Sequence, residues 1–399
     1  MFCLKSPGIS AYLYSKFVCI FAIEKRSTGC EGVPFTIRAI VADFEELSHA
    51  GKSSTRTSVK DEHLKMEFVD GDSIGVFAIK DGAIMVGTEV EKRIGEDRMK
   101  IVEEIKKWKQ KKNAVILAHY YVNPEIQEIA DYIGDSFYLS KVAVGLKEQT
   151  IVFCGVSFMG ESAKILNPKK TVLMPDLTAD CAMAHMADAE TIQKMREKYE
   201  DLAVVCYINS TAELKRHSDV CVTSANAVQI VKALPNKRIF FIPDKNLARY
   251  VAEQVPEKEF VFNNGYCPVH EHMQLEEIKK VKEQHPQAEI LTHPECPEAV
   301  CAISDYIGST SGIIAYAAKS SCKEFIVCTE NGVRYELEKQ NPDKKFYFAE
   351  TEPVCPDMKL ITLEKILHVL QTGENEVHIT EDLRKESGKT LERMLELAK

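Results

Sequence analysis

From Asp97 onward, two rhythms of apolar and polar positions alternate along this chain. Short runs rich in β-branched and aromatic residues give way to stretches whose apolar residues recur every three or four positions, the marks of buried strands and amphipathic helices. The runs predict strands at 114–121, 150–156, 171–175, 203–209, 220–224, 238–243, 259–266, 289–295, 306–310, 324–330 and 345–350. Helices predicted between them include 124–133, 158–166, 191–199, 227–234, 275–285 and 312–318. Strand and helix alternating at this pace imply parallel sheets covered on both faces, an α/β fold. The stretch 362–399 is helical by period, carries no candidate chemistry and is expected to pack back on the first α/β unit.

Ligands of such sheets bind at the carboxyl ends of the strands. His119, Asn209, Ser224, His293, Glu295, Ser309 and Thr310 all fall there. Positions of chemical interest also recur at one period. Cys181, Cys267 and Cys355 are 86 and 88 residues apart, each in a stretch where the backbone can bend (LTADCAM, NGYCPVH, EPVCPDM). Ser136, Ser224 and Ser309 are 88 and 85 apart, and His119, Asn209 and His293, more loosely, 90 and 84. Three series at one period predict a triplicated body with repeats over 98–182, 183–266 and 267–361. Three thiolates brought to one point by three repeats mean a metal site.

A chain of 399 residues has room for three such units and an extra segment. A formal charge of −9 and the lack of any basic run of five or more residues argue against a nucleic-acid or anionic-membrane partner. Local dipoles must then attract any anionic ligand. Thirteen cysteines are scattered through apolar strands (Cys154, Cys206, Cys221, Cys328) and form no compact disulfide framework, which suits a reducing cytoplasm. Residues 1–97 read as an accessory extension. Its apolar run 11–23 is shorter than the roughly 20 residues that span a bilayer. The stretch 51–60 has the composition of disordered linker, and 66–87 has two turn signals between β-rich runs, predicting a small hairpin.

Two Ser/Thr clusters open helices, Ser224 in TSANA and Ser309 with Thr310 in STSG. Helix N-terminal N–H groups and hydroxyls bind phosphate or carboxylate. Ordinary N-capping explains either cluster alone, whereas two clusters at one repeat period favour the anion. The run AHYYVNPEIQEIADYIGDS places His119, Tyr121, Asp135 and Ser136 around a strand end and the following helix. His293 and Glu295, two apart at another strand end, would share one side, which suits acid and base work if shielding from water raises the carboxylate toward neutrality. For the cysteines, zinc is the rival of an iron–sulfur cubane. Structural zinc takes four ligands from close pairs, and no Cys-x-x-Cys occurs, Cys296 and Cys301 being the nearest pair. Three thiolates on a cubane leave one iron open as a Lewis acid.

At AHYYVNPEIQEIADYIGDS, TADCAMAHM, YINSTAELK, VTSANA, PDKNLARYV, THPEC, GSTSG and VCPDMK, from about residue 98 to the C-terminus, the chain closely resembles the quinolinate synthase family of de novo NAD biosynthesis. The resemblance implies three similar three-layer α/β/α domains around a pseudo-threefold axis, with one four-iron four-sulfur (4Fe-4S) cluster on Cys181, Cys267 and Cys355. It implies condensation of iminoaspartate with dihydroxyacetone phosphate to quinolinate, phosphate and two waters, without net redox change, the cluster acting as Lewis acid. Tyr121 and Glu295 are the implied proton-transfer residues, with His270 and His293 assisting or binding carboxylate. His119, Ser136, Tyr207, Asn209, Ser224, Ser309 and Thr310 are implied to line the cavity with them. A functional link to L-aspartate oxidase, which supplies iminoaspartate, follows from the same resemblance. Residues 1–97 have no counterpart in it. Cys296 and Cys301 resemble extra cysteines of some members, and a regulatory disulfide between them is left open. Three-cysteine enzymes of the diphthamide-synthesis and isoprenoid-diphosphate reductase types would share the cluster but need electrons, and would not carry THPEC with YINST. A non-catalytic iron–sulfur sensor would need a partner surface or DNA-binding element, and the sequence displays none.

Overall fold

The computed structural model describes residues 87–399 and four short strands before them, with side chains described from residue 95 onward. In the first of two compact units, residues 1–100, β1 (Ile37–Ala39) pairs antiparallel with β2 (Glu62–Leu64), and β3 (Phe77–Lys80) with β4 (Ala83–Val86). The second pair is the small hairpin expected within 66–87. The expected linker 51–60 and the apolar run 11–23 lie outside the described residues. No helix among the described residues is long and apolar enough to cross a membrane.

The second unit, residues 101–399, contains three parallel sheets of four strands, all wound alike. The first comprises β5 (Ala114–His119), β6 (Tyr132–Gly134), β7 (Thr150–Cys154) and β8 (Thr171–Leu173) in the order β6-β5-β7-β8. The second comprises β9 (Leu202–Tyr207), β10 (Val220–Val222), β11 (Arg238–Ile242) and β12 (Glu259–Phe262), in the order β10-β9-β11-β12. The third, β13 (Glu289–Thr292), β14 (Tyr306–Ile307), β15 (Glu324–Cys328) and β16 (Lys345–Tyr347), runs β14-β13-β15-β16. Helices cover both faces, so the central strands are continuous apolar runs: β5, β7 and β9 are buried at every position. In the third sheet, Leu291, Phe325 and Val327 feed one apolar cluster and Ile290, Ile326 and Cys328 another, as the two-residue alternation of a strand requires. The first two sheets share one core with the C-terminal helices.

An aspartate locks each sheet's first strand to its second. Asp131, Asp219 and Asp305 each accept a backbone N–H from the first strand, from Ile116, Val204 and Ile290 at 2.7–2.8 Å. Each also donates its own N–H back to the same residue's carbonyl. Helix 124–133 is corrected by this lock. It ends at Ile129, Ala130 turns extended, and Tyr132–Gly134 becomes the edge strand β6. Strands also end earlier than expected, as where 289–295 stops at Thr292. Pro294 has no N–H to offer a ladder, so His293 to Cys296 form a turn closed by Cys296 N–H donating to the His293 carbonyl at 3.0 Å.

The stretch 362–399 forms two helices, Leu363–Thr372 and Glu381–Leu397, parted at Gly373, whose φ of 77° suits a residue without Cβ. Glu381–Leu397 packs along Ser157–Leu166 and also along Ala212–Arg216 and β10. Arg216 meets Glu386 at 2.5 Å, and the Cys221 thiol meets Thr390 Oγ1 at 3.3 Å.

Candidate active site

Residues beyond the carboxyl ends of β5, β9 and β13 line one cavity of about 240 Å³. His119, Tyr121, Ser136, Tyr207, Asn209, Ser224, His270, His293, Glu295 and Thr310 open on it, together with Cys181, Cys267 and Cys355. Ser309 does not. It caps helix Thr310–Lys319, its Oγ accepting the Gly312 N–H at 3.1 Å. Ser224 behaves in the opposite way: Asn226 occupies the cap position of its helix, and the Ser224 hydroxyl meets His293 Nε2 at 3.2 Å. The two Ser/Thr clusters thus share a repeat position but not a role.

Each cysteine sits where the chain enters a helical turn. Cys181 precedes Ala182–His185, Cys267 precedes Pro268–Glu271, and Cys355 lies just before Met358–Leu360. Burial pushes the thiols up, Cys181 to about 12, Cys355 to about 11 and Cys267 well above the ordinary value. Against it, the backbone N–H three residues on in each loop, of Ala184, His270 and Met358, favours the thiolate. Cys181 also feels Cys355, and Cys267 feels Cys181, as neighbouring charges. Ligand atoms of Cys267, His270 and Glu295 lie within 4.8 Å of one another.

A buried chain of hydrogen bonds crosses the cavity wall. Glu295 Oε2 is 2.8 Å from His270 Nδ1. His270 Nε2 is 2.9 Å from Thr329 Oγ1, which is 2.9 Å from the Tyr121 hydroxyl, itself 2.8 Å from Thr310 Oγ1. His270 joins the two halves of this chain through its two ring nitrogens, Nδ1 also lying 3.2 Å from Cys267 Sγ. The hydroxyls of Thr310, Tyr121 and Thr329 can each donate or accept along the chain, its direction following the tautomer of His270. His293 stacks on His270 with ring centres 4.7 Å apart, and His119 meets the Tyr121 ring edge-on at 4.5 Å.

The electrostatics overturn one expectation. Burial alone would raise the Glu295 carboxyl, but the neighbouring His293 and His270, with hydrogen bonds from His270 and Tyr207, hold it down at about 2. It is ionised at neutral pH. Burial draws His293 and His119 down to about 3, leaving both neutral, and drives the Tyr121 hydroxyl well above its ordinary value. Two lining atoms, Asn209 Oδ1 and Thr223 Oγ1, are buried without a hydrogen-bond partner among the described residues. Such atoms carry a desolvation cost until a ligand meets them. Cys296 and Cys301 are free thiols, the latter donating to the Cys296 carbonyl at 3.6 Å.

Residues 103–396 match the family described as Quinolinate synthetase A protein. The chain belongs to the quinolinate synthase family. The quinolinate synthase of Fusobacterium nucleatum subsp. nucleatum is 53% identical over 296 residues, covering 74% of this chain and 99% of the relative. That of Clostridioides difficile is 51% identical over 295 residues, 74% of this chain and 97% of the relative. That of Thermodesulfovibrio yellowstonii is 47% identical over 296 residues, with coverages of 74% and 98%. The chain is thus an enzyme, of a family that serves NAD biosynthesis. Sequence reasoning passed over Thr223, Thr329, Asp180, Glu330 and Lys359. A signal for Glu330 existed: Ser157, Asp244 and Glu330, each just past the third strand of its sheet, stand 87 and 86 residues apart. Their differing side chains hide the series from any search for one residue type.

Proposed function

We propose that this chain condenses iminoaspartate with dihydroxyacetone phosphate to quinolinate, phosphate and two waters, and that Cys181, Cys267 and Cys355 hold a 4Fe-4S cluster. One observation carries the reading: three thiols from loops 86 and 88 residues apart open on the same cavity as the buried Tyr121–Thr329–His270–Glu295 chain. The donor set fits the cluster. The thiols come singly from three loops, each beside an N–H that favours thiolate, and burial holds them protonated until a cation offsets its cost. When bound, the cluster supplies an iron with an open position, a Lewis acid for a substrate oxygen.

The chain's own residues account for binding and proton movement. A new C–C and a new C–N bond close the ring, phosphate leaves with its ester oxygen, and the two remaining triose oxygens leave as water. Phosphate is assigned to Ser136, Ser224, Thr310 and the helix starts near them, with Ser309 supporting from its cap position. His119, His293 and Asn209 are assigned to the substrate carboxylates and imine, where the unpartnered Asn209 Oδ1 accepts an N–H. Glu295, through His270 and Thr329, moves protons to and from Tyr121, and Tyr207 holds the carboxylate. Iminoaspartate would come from an L-aspartate oxidase, and free cysteines suit a reducing cytoplasm. The test is anaerobic: full-length protein, reconstituted with iron and sulfide and supplied with both substrates, should form quinolinate. Absence of quinolinate from protein with a confirmed cluster would overturn the reading.

A further inference from the structure

In every repeat a carboxylate receives the backbone N–H of the cysteine. Asp180 Oδ1 accepts from Cys181 at 2.7 Å, Asp244 Oδ2 from Cys267 at 3.1 Å and Glu330 Oε1 from Cys355 at 3.1 Å. In every repeat the same carboxylate also grips the segment that follows the third strand of its sheet. Asp180 takes the hydroxyl of Ser157, the first residue of helix Ser157–Leu166. Asp244, the cap of Lys245–Gln254, takes the Leu247 N–H at 2.6 Å on its other oxygen. Glu330 takes the Gly332 N–H at 2.6 Å. Asp244 and Glu330 are fully buried, and Asp180 is half-buried. The carboxylate comes from the post-strand segment in two repeats and from the cysteine loop in the first. The bridge is the same: cysteine N–H, carboxylate, start of the helical segment behind the third strand.

We propose that Asp180, Asp244 and Glu330 are positioning residues that fix the three cysteine loops at the spacing the cluster needs, an inference that rests on the cluster reading above. Helix capping alone does not explain the arrangement. A cap needs one acceptor, whereas each of these carboxylates spends a bond on the neighbouring cysteine. Glu330 adds a further link, pairing at 2.9 Å with Lys359, which donates to the Tyr121 carbonyl at 2.6 Å. The Cys355 loop and the proton-transfer tyrosine are thereby tied to one buried carboxylate. Asp357 Oδ1 accepts the Asp180 N–H at 3.4 Å, joining the first cysteine loop to the third. At Asp244 and Glu330 the two bonds fall on different oxygens, and an amide, with its single oxygen, loses one of them, whereas at Asp180 both fall on Oδ1, so that only removal of the side chain breaks the bridge.

The experiment uses full-length reconstituted protein, wild type and the variants Asp180→Ala, Asp244→Asn and Glu330→Gln. Asp188→Asn serves as control, since Asp188 only caps the exposed helix Ala189–Lys198 through Thr191. Iron transfer to a ferrous chelator and the thermal midpoint of the metal-free protein are both followed. Outer-shell partners of metal ligands change metal affinity by about 10–100-fold. The three variants should release iron faster by about that factor while the control matches wild type. Asp180→Ala, at a half-buried side chain, keeps the test decisive if the buried variants fail to fold. Wild-type release rates in folded variants, or equal acceleration in the control, would overturn the positioning role. Failure of wild type itself to take up iron would instead sink the cluster reading, and this role with it.

Discussion

Glu295 reaches the cavity as an ionised carboxylate because two imidazoles and a tyrosine hydroxyl face it, so the proton-transfer role proposed for it rests on position more than on a raised pKa. Replacing it with Gln keeps size and one acceptor but removes the charge that polarises His270. Turnover of Glu295→Gln should fall by ~10²–10⁴, the usual worth of a placed proton-transfer group, with cluster absorbance intact. Near-normal turnover at confirmed cluster content would move the role to Tyr121. Thr310 is the assigned phosphate donor and also holds the Tyr121 hydroxyl. Thr310→Val should raise the KM for dihydroxyacetone phosphate about ten- to hundredfold, from a lost charge-assisted bond of ~1.5–3 kcal/mol. An unchanged KM would remove Thr310 from the phosphate site. Of this site, His119, Tyr121, Glu295 and the cysteines were legible in sequence because they stand in distinctive strings. Thr329 was not, since a threonine at a strand end is indistinguishable from any other until Tyr121 and His270 arrive from distant loops.

Elements differ in how much of them sequence periodicity could reveal. Buried central strands such as β7 and β15 announce themselves as apolar runs, but the three-residue β6 does not. Its extended course comes from Asp131 bonding to Ile116 across the sheet, a contact without local signature. Close approach of one segment to another is likewise invisible beforehand. Gly332 shows this, for a Cβ there would meet the Tyr120 carbonyl oxygen at 2.7 Å and Tyr121 Cα at 2.8 Å, both backbone atoms with little freedom to yield. Gly332→Ala should therefore cost about 1–3 kcal/mol of stability, as overpacking does, and lower turnover by moving Tyr121 off Thr329. Thermal melts and steady-state rates would check this, and a variant equal to wild type in both would show that the contact can relax.

At the scale of the whole molecule, the body that belongs to the family occupies residues 103–396, and relatives cover 97–99% of their own length with about three quarters of this chain. Residues 1–86 lie outside that shared body, so deleting them should leave the melting midpoint and the iron content after reconstitution unchanged. Aggregation of the truncated protein, or failure to take up iron, would place the extension within the working fold. The sequence by itself determined that the body is a triplicated α/β assembly, because strand and helix periods are local and the spacing of Cys181, Cys267 and Cys355 survives as plain arithmetic. It also singled out strings whose residues the fold brings to one cavity. Only the tertiary structure decided that Ser224 faces the cavity while Ser309 caps a helix, that Glu295 is held ionised, and that a carboxylate stands behind each cysteine. Those outcomes depend on distances between segments remote in sequence and on how deeply each group is withdrawn from water, and neither quantity is a property of a residue or its neighbours in the chain.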